Sequence, residues 1–173
     1  ETASAIGNIG IVYHIKGELD KARIYYERKL KLSEELGKRT ELAQSLNNIG
    51  FLYKDLGEYK KAISHLRQSY KISKELSDFS TMSGALINLG HVLKLQNNFQ
   101  KAEIEFEKGL LIAEKNGMKH LMAEALIEIG ELFLDIGQKD KAVDYVDQGL
   151  KISEEIGFAE YIEKGKAVKE KLK

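Results

Sequence analysis

Apolar residues recur along the chain at helical spacing, in two stripes per unit, and the unit itself repeats. Leu42, Leu46, Ile49, Phe51, Leu52 and Tyr53 form one broad stripe. Gly57 interrupts it, and Tyr59, Ala62, Ile63, Leu66, Tyr70 and Ile72 form a second. The stretch 46–53 returns in degraded form at 5–13, 86–93 and 126–133. Its glycine falls at Gly10, Gly50, Gly90 and Gly130, a period of 40 residues without slippage. A period of that length signals a solenoid of stacked helix pairs. Helices are expected over about 4–16 and 19–36, 40–56 and 59–76, 80–96 and 99–116, and 119–136 and 139–156.

The punctuation repeats as well. One turn of each unit carries Gly17, Gly57, Asn97 or Gly137; the other carries Gly37, Ser77, Gly117 or Gly157. The residue types of the first set suit a left-handed backbone at a helix end. Gly10, Gly50, Gly90 and Gly130 fall within helices, where glycine costs about 1 kcal/mol against alanine. Bearing that cost four times at one phase points to close helix approach, and Ala22, Ala62, Ala102 and Ala142 suggest the same on the second helices. The lysine before each alanine (Lys21, Lys61, Lys101, Lys141) reads as an exposed first-turn residue. After Phe158 the phase is lost, Glu170 standing where the next glycine is due. Tyr161, Val168 and Leu172 still mark one narrow apolar face, with Gly165 between them, so a capping helix is expected over 159–172.

Composition narrows the function classes. The absence of proline favours uninterrupted helices. Twenty-seven basic and 27 acidic residues cancel, so no broad attraction to nucleic acid or to an anionic membrane is expected. Without cysteine there is neither a disulfide framework nor a thiolate metal site, which suits a cytoplasmic protein. No signal peptide and no apolar run of membrane-spanning length is present. The chain opens at Glu1 without an initiator Met and already in a helical pattern, so it reads as a fragment of a longer protein.

Catalytic chemistry finds little footing. His14, His65, His91 and His120 are scattered, with no pair at metal-ligand spacing. Gly7-Asn8-Ile9-Gly10 lies inside a helical stretch with no strand before it, unlike a dinucleotide loop. The paired acids Glu34/Glu35 and Glu154/Glu155 are neighbours in sequence only, because adjacent helical residues point apart. No enzyme activity, cofactor or metal is expected. A different signal stands out: Asn8, Asn48 and Asn88 recur two residues before each glycine, with Glu128 in the fourth unit. Asparagine is a mediocre helix former, so three in phase suggest a role for the amides.

These residues resemble the tetratricopeptide repeat. In the second unit its pattern of large apolar residue, apolar-Gly, aromatic, Gly turn, aromatic, Ala and closing apolar run is Leu46, Ile49-Gly50, Tyr53, Gly57, Tyr59, Ala62, Leu66 and Tyr70. The match covers residues 4–156. It departs in its period of 40 rather than about 34 and in lacking the proline near the second helix end, where Glu34, Lys74, Glu114 and Glu154 stand. The longer form is similar to the repeats of kinesin light chains, spindle-orientation adaptors and bacterial Rap-type peptide receptors, and to arrays in bacterial multidomain sensors. The resemblance implies an all-α, right-handed superhelical solenoid of four antiparallel helix pairs. The repeats fall at about 4–43, 44–83, 84–123 and 124–157, making up residues 1–157, with residues 158–173 as the cap.

Functionally, the resemblance implies a scaffold whose first helices line a concave groove for a partner's peptide segment. Asn8, Asn48 and Asn88 then face the groove and hold a main chain; the alternative is that these amides tie neighbouring helices together. Ile11, Phe51, His91 and Glu131 follow three residues later, and His14, Lys54, Lys94 and Leu134 a turn beyond. The groove is expected to begin apolar, pass through Lys54, His91 and Lys94, and end acidic at Glu124, Glu128, Glu131 and Asp135. Its partner should place an apolar anchor near Phe51, carboxylates opposite Lys54 and Lys94, and basic groups at the acidic end. The alternative for Phe51 is a core position, and Tyr13, Tyr26, Tyr53 and Tyr70 are read as core. The partner segment is either another protein's or the parent chain's own. The second functional reading is a regulatory input domain of a larger bacterial signalling protein carrying a histidine kinase, cyclase or transcription regulator. A third is a purely structural spacer or self-association module; for the binding scaffold itself a monomer or weak self-association is expected.

Overall fold

Eight short turns set the architecture, each built on one residue of left-handed backbone. In the computed structural model, which describes residues 2–173, Gly17, Gly37, Gly57, Gly117, Gly137 and Gly157 have φ between 64° and 78°. Ser77 and Asn97 adopt the same region at 56° and 57°. Each turn closes with the same pair of hydrogen bonds: Gly57 N donates to the Lys54 carbonyl (3.0 Å) and Glu58 N to the Tyr53 carbonyl (2.8 Å). That pairing satisfies the last carbonyls of a helix and lets the chain reverse within three residues.

The helices so delimited are α1 (Ala3–Ile15), α2 (Leu19–Glu35), α3 (Arg39–Asp55), α4 (Tyr59–Leu76), α5 (Phe79–Leu95), α6 (Phe99–Lys115), α7 (Lys119–Asp135), α8 (Lys139–Ile156) and α9 (Ala159–Leu172). No strand occurs among the described residues. The fold is an all-α solenoid: each helix packs on the next, each first helix on the next first helix, and α9 on both α7 and α8.

The recurrent small residues mark the closest approaches. A methyl group added at Gly50 would lie 2.5 Å from Leu66 Cγ; one at Gly90 would lie 2.5 Å from the Phe106 ring. Ala22, Ala62, Ala102 and Ala142 are fully buried. The core runs between the helix layers rather than forming one central cluster. Tyr26, Ile49 and Leu52 pack together, then Leu66, Leu86, Leu89 and Val92, then Phe106, Leu126, Ile129 and Leu132.

In three units the lysine before the alanine does more than solvate its helix. Lys21 lies 5.2 Å from the Tyr13 ring centroid, Lys61 5.1 Å from Tyr53 and Lys141 4.8 Å from Phe133. On the same second helices Tyr25, His65 and Tyr145 pack on those rings at 5.3–5.5 Å. A cation and two rings thus staple the two helices of three units; the unit built from α5 and α6 has Leu93 and Glu105 at the ring positions.

Candidate functional site

The second helices cover one side of the first helices and leave the other side open. Residues of α1 and α3 meet there around a cavity of about 380 Å³, lined by Ile11, His14, Ile15, Tyr26, Asn48, Phe51 and Asp55. Its floor is Tyr26, 2% exposed, and its walls are aliphatic and aromatic. His14 Nε2 lies 2.7 Å from Asp55 Oδ2, and His14 Nδ1 lies 3.4 Å from the Tyr26 hydroxyl. One tautomer satisfies both contacts: Nε2–H donates to Asp55, and Nδ1 accepts from Tyr26. The His14 ring also packs on Phe51 at 5.1 Å between centroids. Lys54 Nζ sits 3.7 Å above the Phe51 ring and 3.1 Å from Asp55 Oδ1.

Electrostatics shift two groups of this site, Asp55 and Tyr26. Burial pushes the Asp55 carboxyl up, but the His14 hydrogen bond and the Lys54 charge outweigh it and hold Asp55 below its ordinary value. Burial, and secondarily the Asp55 charge, pushes the Tyr26 phenol up to about 12, so it remains a neutral donor.

Farther along the same face a smaller cavity of about 160 Å³ is lined by Lys54, His91, Lys94, Leu95, Glu128 and Lys164. Glu128 lies at its base, only 1% exposed. Lys94 Nζ approaches it at 3.3 Å and Glu131 at 2.6 Å. Lys164, reaching over from α9, hydrogen-bonds Glu128 and lies 3.1 Å from Glu131. His91 Nε2 is 3.1 Å from Glu128, off-axis for a hydrogen bond, while its ring packs edge-on to Phe106. Burial pushes Glu128 up, yet His91, Lys164 and Lys94 together hold it well below its ordinary range. Glu131 is also held low: burial opposes this, and Lys94 and Lys164 prevail. Beside them burial raises Glu124, which the Tyr161 hydroxyl of α9 contacts.

The expected site residues therefore separate into two groups. Ile11, His14, Asn48 and Phe51 meet at the first cavity, and Lys54, His91, Lys94 and Glu128 at the second. The asparagines diverge. Asn8 is exposed and Asn48 half-buried; Asn88 Nδ2 donates to Asn47 Oδ1 at 3.1 Å, an internal tie from α5 to α3. The open acidic end expected around Glu128 is corrected. Glu128 is enclosed and its charge is compensated from within the chain, because α9 covers that end of the face. Lys54 and Lys94 likewise already have carboxylate partners in Asp55 and in Glu128 and Glu131.

Ile15, Tyr26, Asp55 and Lys164 were not foreseen as site residues. Tyr26, a core position by its helical phase, serves both core and cavity. Asp55 lies one residue past Lys54 and could have been found by carrying the helical phase one position farther. Lys164 lies outside the repeat phase, so periodicity held no signal for it. No group of three metal-binding side chains occurs among the described residues, and no helix there is long and apolar enough to cross a membrane.

Comparison with known proteins gives a consistent picture of the fold. No curated protein sequence matches. Among solved structures, the chain is similar to aspartyl phosphate phosphatase F from Bacillus subtilis, with 20% identity and a TM-score of 0.86 over 96% of this chain and 44% of that one. It is similar to a Rap protein complexed with Competence and Sporulation Factor, with 21% identity and a TM-score of 0.87 over 94% of this chain and 45% of that one. BtubC (BKLC) from P. vanneervenii matches with 22% identity and a TM-score of 0.74 over 90% of this chain and 64% of that one. The chain thus spans less than two thirds of the length of each. The family description "Tetratricopeptide repeat" matches residues 1–75 and 81–155, and the chain belongs to the tetratricopeptide-repeat family.

Proposed function

We propose that this chain is a non-catalytic interaction scaffold that binds a peptide segment of a partner protein along the open face of its first helices. Residues 1–157 form the binding array and residues 158–173 its cap. The observation that carries this reading is the cavity between α1 and α3: about 380 Å³, apolar on most sides, with the Asn48 amide at its wall. That volume accepts one large apolar side chain, and burying such a side chain is worth about 1.5–3 kcal/mol. Asn48 can both donate to and accept from the segment's backbone, as a neutral amide does. The His14–Asp55 and His14–Tyr26 contacts position the cavity wall. A chain of this fold has been solved with Competence and Sporulation Factor bound, which favours a signalling segment as partner.

The ion-paired half of the face contributes less. Its lysines and glutamates already satisfy one another, so a partner gains little there beyond what it displaces. The partner therefore anchors on α1 and α3, with Phe51 as the main contact, and Asn8 and Ile11 extend the site toward the N-terminal end. A random peptide library displayed against the folded chain, with Phe51→Ala as counter-selection, tests this. Peptides that carry a large apolar residue and lose binding on Phe51→Ala support the proposal. Enriched peptides that bind both forms equally contradict it.

A further inference from the structure

The outer ridges of three successive second helices differ in character, and they differ in order. On each, the positions that face away from the first helices follow one another at spacings of four and three and are exposed. On α4 they are Lys60, Ser64, Arg67, Lys71 and Lys74. On α8 they are Asp140, Asp144, Asp147, Lys151 and Glu154. Between them, on α6, Ile104 and Leu111 stand 47% and 49% exposed among Gln100, Glu107 and Glu114. The surface therefore runs from basic, through partly apolar, to acidic.

These ridge charges are largely uncompensated within the chain. Lys60, Arg67 and Lys71 have no ion-pair partner among the described residues, and Lys74 lies only against the Tyr70 ring, at 5.9 Å. Asp140, Asp144 and Glu154 are likewise without one, whereas Asp147 pairs with Lys169 at 2.7 Å. The same ridge of α2 mixes signs, and its Asp20 and Lys31 are paired along their own helix to Arg23 and Glu35. The formal net charge of the chain is zero, so two copies meet without net repulsion.

We propose that this face docks a second copy of the chain, α4 of each copy against α8 of the other, with Ile104 and Leu111 meeting their counterparts. A surface that changes sign across its middle is complementary to itself under a twofold rotation, and a twofold interface makes every contact twice. The axis runs along α6. Positions 80 residues apart share a level in the array, so Lys60 meets Asp140, Arg67 meets Asp147 in competition with Lys169, and Lys74 meets Glu154. Lys71 meets Lys151, and Glu107 and Glu114 meet their own counterparts; these like charges oppose the contact and make the dimer weak. Its charges are exposed, so salt screens them. The surface lies away from the cavity between α1 and α3 and stands or falls independently of it.

Sedimentation velocity in about 50 mM and about 500 mM salt tests this on the parent chain and two double variants, Lys60→Glu/Lys74→Glu and Asp140→Lys/Glu154→Lys. The four positions are exposed, and circular dichroism confirms that the variants are folded. The parent should dimerise in low salt and dissociate at least about tenfold more readily in high salt. Each variant alone should dimerise at least about tenfold more weakly, because it sets like charges against one another. An equimolar mixture should recover dimers to within about threefold of the parent, because each variant then meets the opposite charge. Adding Ile104→Asp to both members should abolish the recovered dimer, which separates docking from general attraction between oppositely charged chains. Lys71→Glu in the parent should tighten the dimer about threefold, since it faces Lys151 with an opposite charge. A parent chain that stays monomeric at about 200 µM in low salt overturns the proposal. So do dimers indifferent to either double variant, a mixture that recovers none or keeps them with Ile104→Asp, and a weaker dimer of Lys71→Glu.

Discussion

Replacing Gly130 by alanine sets two physical effects against each other, and the structure decides which prevails. Gly130 lies in α7, away from its ends, where alanine is the better helix former by about 1 kcal/mol. Propensity alone therefore predicts stabilisation. A methyl group at this position, however, would overlap Val146 Cγ2 and lie 3.1 Å from the Val146 nitrogen and 3.2 Å from the Ala142 carbonyl. The last two are backbone atoms of α8, so no rotamer change relieves them and the helix pair must separate. Overpacking of this kind costs up to about 3 kcal/mol, leaving a net loss near 2 kcal/mol. Gly84 supplies the control within the same fold. It lies inside α5, and a methyl there would meet only Asn47 Nδ2 at 3.8 Å, an ordinary contact. Gly84→Ala should therefore be stabilising by up to about 1 kcal/mol. Urea unfolding followed by far-UV circular dichroism measures both. With a slope of about 2 kcal/mol per molar urea, the midpoint should fall by about 1 M for Gly130→Ala and rise by about 0.5 M for Gly84→Ala. If the two variants move the midpoint upward together, the in-phase glycines are not close-approach sites and the packing account is wrong.

Further expectations concern charge, turns and amides. Glu128 and Glu131 are held below their ordinary value of 4.5, so their contribution to stability is present above that value and lost as pH falls through the lower folded values. Glu124 is raised and works in the opposite sense, its ionisation opposing stability at neutral pH. Glu128→Gln should lower the urea midpoint at about pH 7, and the difference from the parent should shrink as pH falls below 4.5 toward the depressed folded value; a difference that does not change with pH would refute the charge assignment. Ser77→Gly should stabilise by about 1 kcal/mol, because it removes a side chain from left-handed backbone; thermal unfolding checks this. Asn88→Ala should lower stability by about 1 kcal/mol through loss of the Asn47 bond, whereas Asn48→Ala should leave stability nearly unchanged and weaken peptide binding.

The fold was legible because a 40-residue phase repeats the same instructions four times. Helix periodicity, turn glycines and in-phase alanines each specify a helix pair, and the turn residues Gly57 and Asn97 occupy the left-handed conformation their types suggest, whereas Ser77 is held there by its position in the repeat. The clustering of residues at the candidate site was legible in part. Phe51, Ile11 and Asn48 fall at one cavity because side chains three residues apart share a helix face. What repeat reasoning missed depends on where the repetition ends. Equivalent positions are treated alike by phase, yet Asn8 is exposed, Asn48 half-buried, Asn88 hydrogen-bonded and Glu128 enclosed. Each helix has different neighbours at the two ends of the array. Helix α9 brings Lys164 and Tyr161 onto α7, and a non-repeating element casts no shadow in the repeats. Single-residue phase likewise could not show that Lys54 folds back over Phe51 toward Asp55 rather than pointing to a partner.

The proposed binding site is the cavity between α1 and α3. Calorimetric titration of a library-selected peptide into the parent chain, Phe51→Ala and Lys164→Ala tests it. Phe51→Ala should weaken binding at least about tenfold, and Lys164→Ala, at the ion-paired end, should leave it within about twofold. Binding that survives Phe51→Ala and collapses on Lys164→Ala would place the partner at the other end of the face and contradict the account.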